Sequence, residues 1–206
     1  SAEPESGSVF TGWTGPCVGL DPCALVLSGP LSVSASFEAA PTCSARTCWE
    51  HPLPQGNSLL GVAALSATDV WAVGRRGAIL RYDGRAWRVQ APPPASRSAT
   101  FNAVFAASAS AVWIVGSTGT ALRWDGARFN PADLPPGHGG DDLLAVTGAG
   151  PDEVWVVGDR GTALRYSAGA FSEAATGTQV TLRAAWAGGR DDLWLAGDGG
   201  VVLQRS

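Results

Sequence analysis

The sequence predicts an all-β chain made of β-propeller blades, and three observations carry that prediction. One five-residue run is repeated four times, as Val70-Trp71-Ala72-Val73-Gly74, Val112-Trp113-Ile114-Val115-Gly116, Val154-Trp155-Val156-Val157-Gly158 and Leu193-Trp194-Leu195-Ala196-Gly197. Its tryptophans stand 42, 42 and 39 residues apart, which is the period of a four-stranded blade. Gly-bearing turns cut each copy into short apolar runs, the punctuation of strands rather than helices.

Each unit supplies four strands, here called a to d working outward. Strand a is the apolar run ahead of the tryptophan: Leu60 to Ala63, Phe101 to Phe105, Leu143 to Val146 and Leu182 to Trp186. Strand b is the tryptophan run, followed by a tight turn holding Gly77, Gly119, Gly161 or Gly200. Strand c is Ala78 to Tyr82, Thr120 to Trp124, Thr162 to Tyr166 and Val201 to Arg205. Asp83-Gly84 and Asp125-Gly126 then favour the positive backbone angles of a hairpin turn. Strand d starts at Trp87, Phe129 and Phe171. The b runs are almost continuously apolar, as expected where both faces of a small sheet are covered by neighbours. The repeated Trp is therefore expected in the core, and Tyr82, Trp124 and Tyr166 share an aromatic packing slot.

Trp49-Glu50-His51-Pro52 aligns with the d strand at Trp87, while the last unit stops after strand c. Two readings follow: a four-bladed ring closed by Trp49, or the first half of a larger ring with further blades or domains in a parent protein. The absence of Met and the leading Ser make a processed product or a cut piece the expectation.

Composition narrows the function classes. The 206 residues are 45% apolar with 27 Gly, which suits an all-β globular chain. A formal net charge of −4 argues against a nucleic-acid partner, and no apolar stretch reaches the length of a membrane span. All 14 basic residues are Arg, read here as genomic bias. The four cysteines all fall early, and their short separations favour Cys17 with Cys23 and Cys43 with Cys48, with zinc binding as the rival. Disulfides imply an oxidising compartment, hence an extracellular or cell-surface location.

Two resemblances add to this. Gly7 to Cys17 with its Phe10-Thr11-Gly12-Trp13 turn, Asp21-Pro22-Cys23-Ala24-Leu25 and Ser32 to Phe37 resemble the later half of a divergent internalin-type B repeat, a small β module of bacterial surface and secreted proteins. Tyr82-Asp83-Gly84-Arg85-Ala86-Trp87 and Trp124-Asp125-Gly126-Ala127-Arg128-Phe129 resemble the repeats of the Asp-box, or BNR-like, propeller group, which includes sialidases and photosystem assembly factors. The spacing departs from the Asp-box by one residue, and the third copy, Ser167-Ala168-Gly169-Ala170-Phe171, lacks the Asp. That resemblance implies fold, since such turns are structural in the family. The expected layout is a partial B-repeat-like module at 1–39, a Cys-bridged linker at 40–48 and a propeller at 49–206.

Function is expected on the face that gathers the b–c turns and d–a connections, where variable turns sit on a rigid disc. The candidate ligand-binding residues are Arg75, Arg76, Ser117, Asp159, Arg160, Asp198 and His138, set against a plain reading as solvated hairpins. Arg81, Arg123 and Arg165 repeat along strand c and are expected to pack or pair locally, the rival being a sialidase-like carboxylate clamp. His51 and His138 lack metal-ligand spacing. Asp141-Asp142 and Asp191-Asp192 read as solvated turns, with calcium as a weaker alternative. No catalytic residues, cofactor or metal are expected. The leading function is an exported, non-catalytic module that binds a protein or glycan; the alternatives are a sialidase-like hydrolase and an assembly factor for a larger complex.

Overall fold

The structure, a computed structural model, describes residues 8–14, 16, 32–39, 42–43, 48–49, 56–189 and 192–205. The chain divides into two compact units, Ser1–Leu53 and Pro54–Ser206. In the first, β1 (Ser8–Thr14) pairs antiparallel with β2 (Ser34–Ala39) across a bulge between Phe10 and Gly12. Two short strands, β3 (Thr42–Cys43) and β4 (Cys48–Trp49), form a second ladder. Cys43 and Cys48 are backbone partners in it. Their side chains, together with all of Cys17, Cys23 and His51, lie outside the described residues, so the disulfide expectation does too.

The second unit is four antiparallel meanders. The first sheet runs β5 (Leu59–Ser66), β6 (Asp69–Gly74), β7 (Ile79–Tyr82), β8 (Trp87–Val89). The second runs β9 (Phe101–Ser108), β10 (Ala111–Gly116), β11 (Ala121–Trp124), β12 (Phe129–Pro131). The third runs β13 (Leu143–Gly150), β14 (Glu153–Gly158), β15 (Ala163–Ser167), β16 (Ala170–Glu173). The last has three strands, β17 (Leu182–Ala187), β18 (Leu193–Gly197) and β19 (Val202–Arg205). These are the a to d strands read from the sequence, and β5, β9, β13 and β17 pack one against the next. One expectation is not met: Trp49 pairs with Thr42 in β4, and β19 is the edge of its sheet among the described residues.

Register is the same in every sheet. Trp71 sits opposite Arg81, Trp113 opposite Arg123, Trp155 opposite Arg165 and Trp194 opposite Gln204. The side chain of each of the first three tryptophans leaves its own sheet and enters the next. Trp71 meets Trp124 at 5.4 Å and Phe129 edge-on at 5.7 Å between ring centroids. Trp113 meets Tyr166 at 4.4 Å and Phe171 at 5.5 Å. Tilted and edge-on pairs of this kind add to the burial of the rings themselves. Three apolar clusters result, each lying between two successive sheets and each containing one of the three tryptophans. This explains why strand b is apolar at every position: β10 is buried along its whole length, because one set of alternate side chains packs forward and the other backward.

In the last sheet Arg205 takes the register position of Tyr82, Trp124 and Tyr166 and lies over Trp155 at 5.2 Å. A groove lined by Trp155, Arg165, Glu173, Leu203 and Arg205 runs where a fourth strand packs in the other sheets.

Candidate site on the turn-bearing face

The b–c turns are built alike, and their geometry explains their composition. Each has two successive residues in the left-handed region: Arg76 and Gly77, Thr118 and Gly119, Arg160 and Gly161, Gly199 and Gly200. The residue opening each turn donates its amide to the residue just before strand a of the same sheet, Arg75 to Ser58, Ser117 to Thr100, Asp159 to Asp142 and Asp198 to Thr181, all at 2.9–3.0 Å. Gly77 and Gly119 then donate to the connection that leads into the next sheet, at Ala99 and Asp141. Turn and connection are thus locked together, which gives side chains on this face a fixed base.

The predicted site residues separate into three groups on this frame. Arg75 and Arg76 are exposed. Arg97, also exposed, lies beside them, because a Cβ on Gly77 would come within 2.6 Å of the Arg97 carbonyl oxygen. None of the three has an ion-pair partner among the described residues. His138 and Arg160, in contrast, converge on Asp141. His138 Nδ1 lies 2.9 Å from Asp141 Oδ2, the Thr162 hydroxyl donates to the same oxygen at 2.7 Å, and Arg160 donates to Oδ1. The remaining three are tied to their own surroundings. The Ser117 hydroxyl accepts the Thr100 amide at 3.1 Å, Asp159 receives the Thr181 hydroxyl at 3.4 Å, and Asp198 pairs with Arg183.

Asp141 corrects the reading of Asp141-Asp142 as a solvated turn, since it is 2% exposed. Burial alone pushes its carboxyl upward, but the hydrogen bonds from Thr162 and His138 and the charge of Arg160 outweigh burial and hold it below the usual carboxylate range. Asp142 does lie at the surface, where it accepts the Thr118 amide at 2.9 Å. Asp141 was missed because two acids in a Gly-rich connection read as exposed. The signal was available in the repeat, which places Ala99 at the equivalent position, as the matching bonds from Gly77 and Gly119 show. Asp141→Ala would leave the buried Thr162 hydroxyl without an acceptor, and is expected to cost about 1–3 kcal/mol in a urea titration.

On the opposite face the acid-rich turns are structural. Asp83 Oδ1 accepts the amides of Arg85 and Ala86 at 3.0 and 2.9 Å, and Asp125 Oδ1 those of Ala127 and Arg128 at 2.8 and 2.9 Å. Arg88, then these amides, hold the Asp83 carboxyl far below its ordinary value. The amides of Arg128 and Ala127, with the Asn130 side chain, lower that of Asp125 to about 2. Ala168 and Gly169 make the third turn with positive φ and no acid.

The strand c arginines are held in place. Arg81 makes two 2.9 Å bonds to Asp69, Arg165 two at 2.5 and 2.9 Å to Glu153, and Arg123 stands 3.5 Å from Asp152. Each also lies over the tryptophan opposite it, at 4.9 Å for Arg81 and 5.7 Å for Arg123 and Arg165. Among the described residues no group of three His, Cys, Asp or Glu side chains is placed to hold a metal ion, and no helix is long and apolar enough to cross a membrane.

With this geometry in hand, comparison with solved structures decides the architecture. YCF48 from Cyanidioschyzon merolae superposes with a TM-score of 0.55 at 21% identity, over 75% of this chain and 59% of that one. A virginiamycin B lyase from Staphylococcus aureus gives 0.57 at 14% identity, over 77% and 58%. The fold is a β-propeller. YCF48 bound to a D1 peptide gives 0.55 at 16% identity over 72% of this chain and 53% of that one, so the chain spans a little over half the length of these propellers. Neither a protein-family model nor a curated protein matches the chain.

Proposed function

We propose that this chain is an exported, non-catalytic propeller module that binds a carboxylate-bearing protein or glycan ligand through its turn-bearing face. The observation that carries this reading is the corner formed by Arg75, Arg76 and Arg97. There three exposed guanidinium groups stand without an internal counter-charge, on a turn fixed to its neighbouring connection by the Gly77 to Ala99 bond at 2.8 Å. Arginine suits such a role because its planar fork meets carboxylates with two parallel hydrogen bonds. The peptide-bound YCF48 structure is a precedent for protein recognition by this fold, and an assembly factor would be the same reading with a protein as ligand.

Binding is favoured over sialidase-like hydrolysis because the arginines that would form a substrate clamp are committed elsewhere. Arg81, Arg123 and Arg165 each serve an acid and a tryptophan of the framework. The Asp83 and Asp125 turns support kinship with the Asp-box group, and the β1–β2 pair is in keeping with an internalin-like B repeat. Export rests on the cysteine pattern of the first unit.

The test is to screen the purified chain on a glycan array and a peptide display library. The expected hit is acidic, weakens as ionic strength rises, and loses about tenfold or more in affinity in an R75E/R76E variant. Arg85→Ala, on the opposite face, is expected to leave it unchanged. Binding indifferent to R75E/R76E, or turnover of a fluorogenic glycoside panel, would overturn the proposal.

A further inference from the structure

The repeat contains its own control for burial, and the two ends of the arc depart from it in complementary ways. Register places Val62, Val104 and Val146 at one position of strand a, and Leu59, Phe101 and Leu143 at another. Wherever a preceding sheet exists, these side chains are covered: Val104 is 8% exposed, whereas Val62 in the first sheet is 70% exposed, and Leu59 is open as well. At the other end, Trp71, Trp113 and Trp155 are fully covered by the sheet that follows, whereas Trp194 is 41% exposed. Val202, at the register position of the buried Ile79, Ala121 and Ala163, is 62% exposed. The first sheet also carries the aromatic pair that caps a preceding tryptophan elsewhere: Tyr82 and Trp87, 5.5 Å apart, correspond to Trp124 with Phe129 and to Tyr166 with Phe171. No tryptophan of a preceding sheet lies against them among the described residues.

We infer that these open faces are the two halves of one intersheet contact, and that a second copy of this chain completes it, the last sheet of one copy packing on the first sheet of the next. The occupant follows from the repeat. Contacts of the same kind join successive sheets within the chain, with an indole on one side and an aromatic pair on the other. One chain cannot close it, since Val62 and Trp194 are both open while β5 packs on β9 and β17 on β13. An exposed apolar face of this extent is ordinarily an interaction surface. The contact is head to tail, so it either closes on itself or propagates; two copies would bring eight sheets, within the four to eight of known propellers.

The experiment is light scattering on the purified chain over a range of concentrations, with Val62→Glu and Trp194→Glu as single-face variants. Both positions are solvent-exposed, and circular dichroism checks that each variant stays folded; Val202→Glu serves as a second trailing-face variant should Trp194→Glu fail that check. The parent chain is expected to show a mass of two or more chains, and each variant alone the mass of one. Mixed in equal amounts, the two variants are expected to form a one-to-one pair, because each retains the face the other has lost. A parent chain that stays monomeric throughout, variants that still self-associate, or a mixture that stays monomeric would each overturn the inference.

Discussion

Trp113→Ala is expected to lower the free energy of unfolding by about 3–5 kcal/mol, read as a shift in denaturant midpoint at unchanged slope. The indole is fully buried and packs 4.4 Å from Tyr166 and 5.5 Å from Phe171. Burying a ring of this size removes roughly 150–250 Å² from water, worth about 4–6 kcal/mol gross at 25 cal/mol/Å². The cavity falls between two sheets, so neither sheet can refill it by a local adjustment; the Arg123 guanidinium, 5.7 Å from the indole centroid, would also lose its stacking partner. Trp194→Ala provides the comparison, because its side chain is already 41% exposed and the loss in a monomer should stay below about 1.5 kcal/mol. Equal costs at the two positions would contradict the view that each indole is buried by the following sheet.

That comparison also shows which parts of the fold were legible in the sequence. The tryptophan runs, the Gly turns and the aromatic strand starts at Trp87, Phe129 and Phe171 are local signals, and each became the element it announced. The aromatic slot of Tyr82, Trp124 and Tyr166 and the local pairing of the strand c arginines were legible for the same reason, since repetition at a fixed position marks a framework role. The fate of Trp49 was not, because a short aromatic strand start looks the same whichever edge it pairs with. Asp141 was hidden by its neighbourhood: Gly139, Gly140 and Asp142 surround it with turn residues, and only the bond from Gly119 to its carbonyl reveals that it occupies the interlocked position of Ala99. On the candidate face, the sequence supplied the residues but not their grouping. Charge neutralisation takes Arg160 and Asp198 into internal pairs and leaves Arg75 and Arg76 free. Arg97 joins them only because the first connection turns back against Gly77.

Gly161→Ala is the second substitution expected to be severe, and the repeat makes its cause separable. Gly161 has φ +73°, a conformation that costs a residue with a Cβ about 1–2 kcal/mol. Its Cβ would also fall 2.0 Å from the Thr178 carbonyl oxygen, so the connection into the last sheet must move, adding about 1–3 kcal/mol. Gly200 holds the same position in the last sheet with φ +77°, yet a Cβ there would meet nothing within 4 Å. Gly200→Ala is therefore expected to lose only the conformational part, about 1–2 kcal/mol, and the excess at Gly161 measures the interlock between turn and connection. If chemical denaturation gave the same loss at both, the turns of the candidate face would owe their shape to backbone preference alone. An excess of 1 kcal/mol or more, on the order of the overpacking cost, would show that each turn is clamped by the connection to the next sheet, the rigidity that a binding face built on those turns requires.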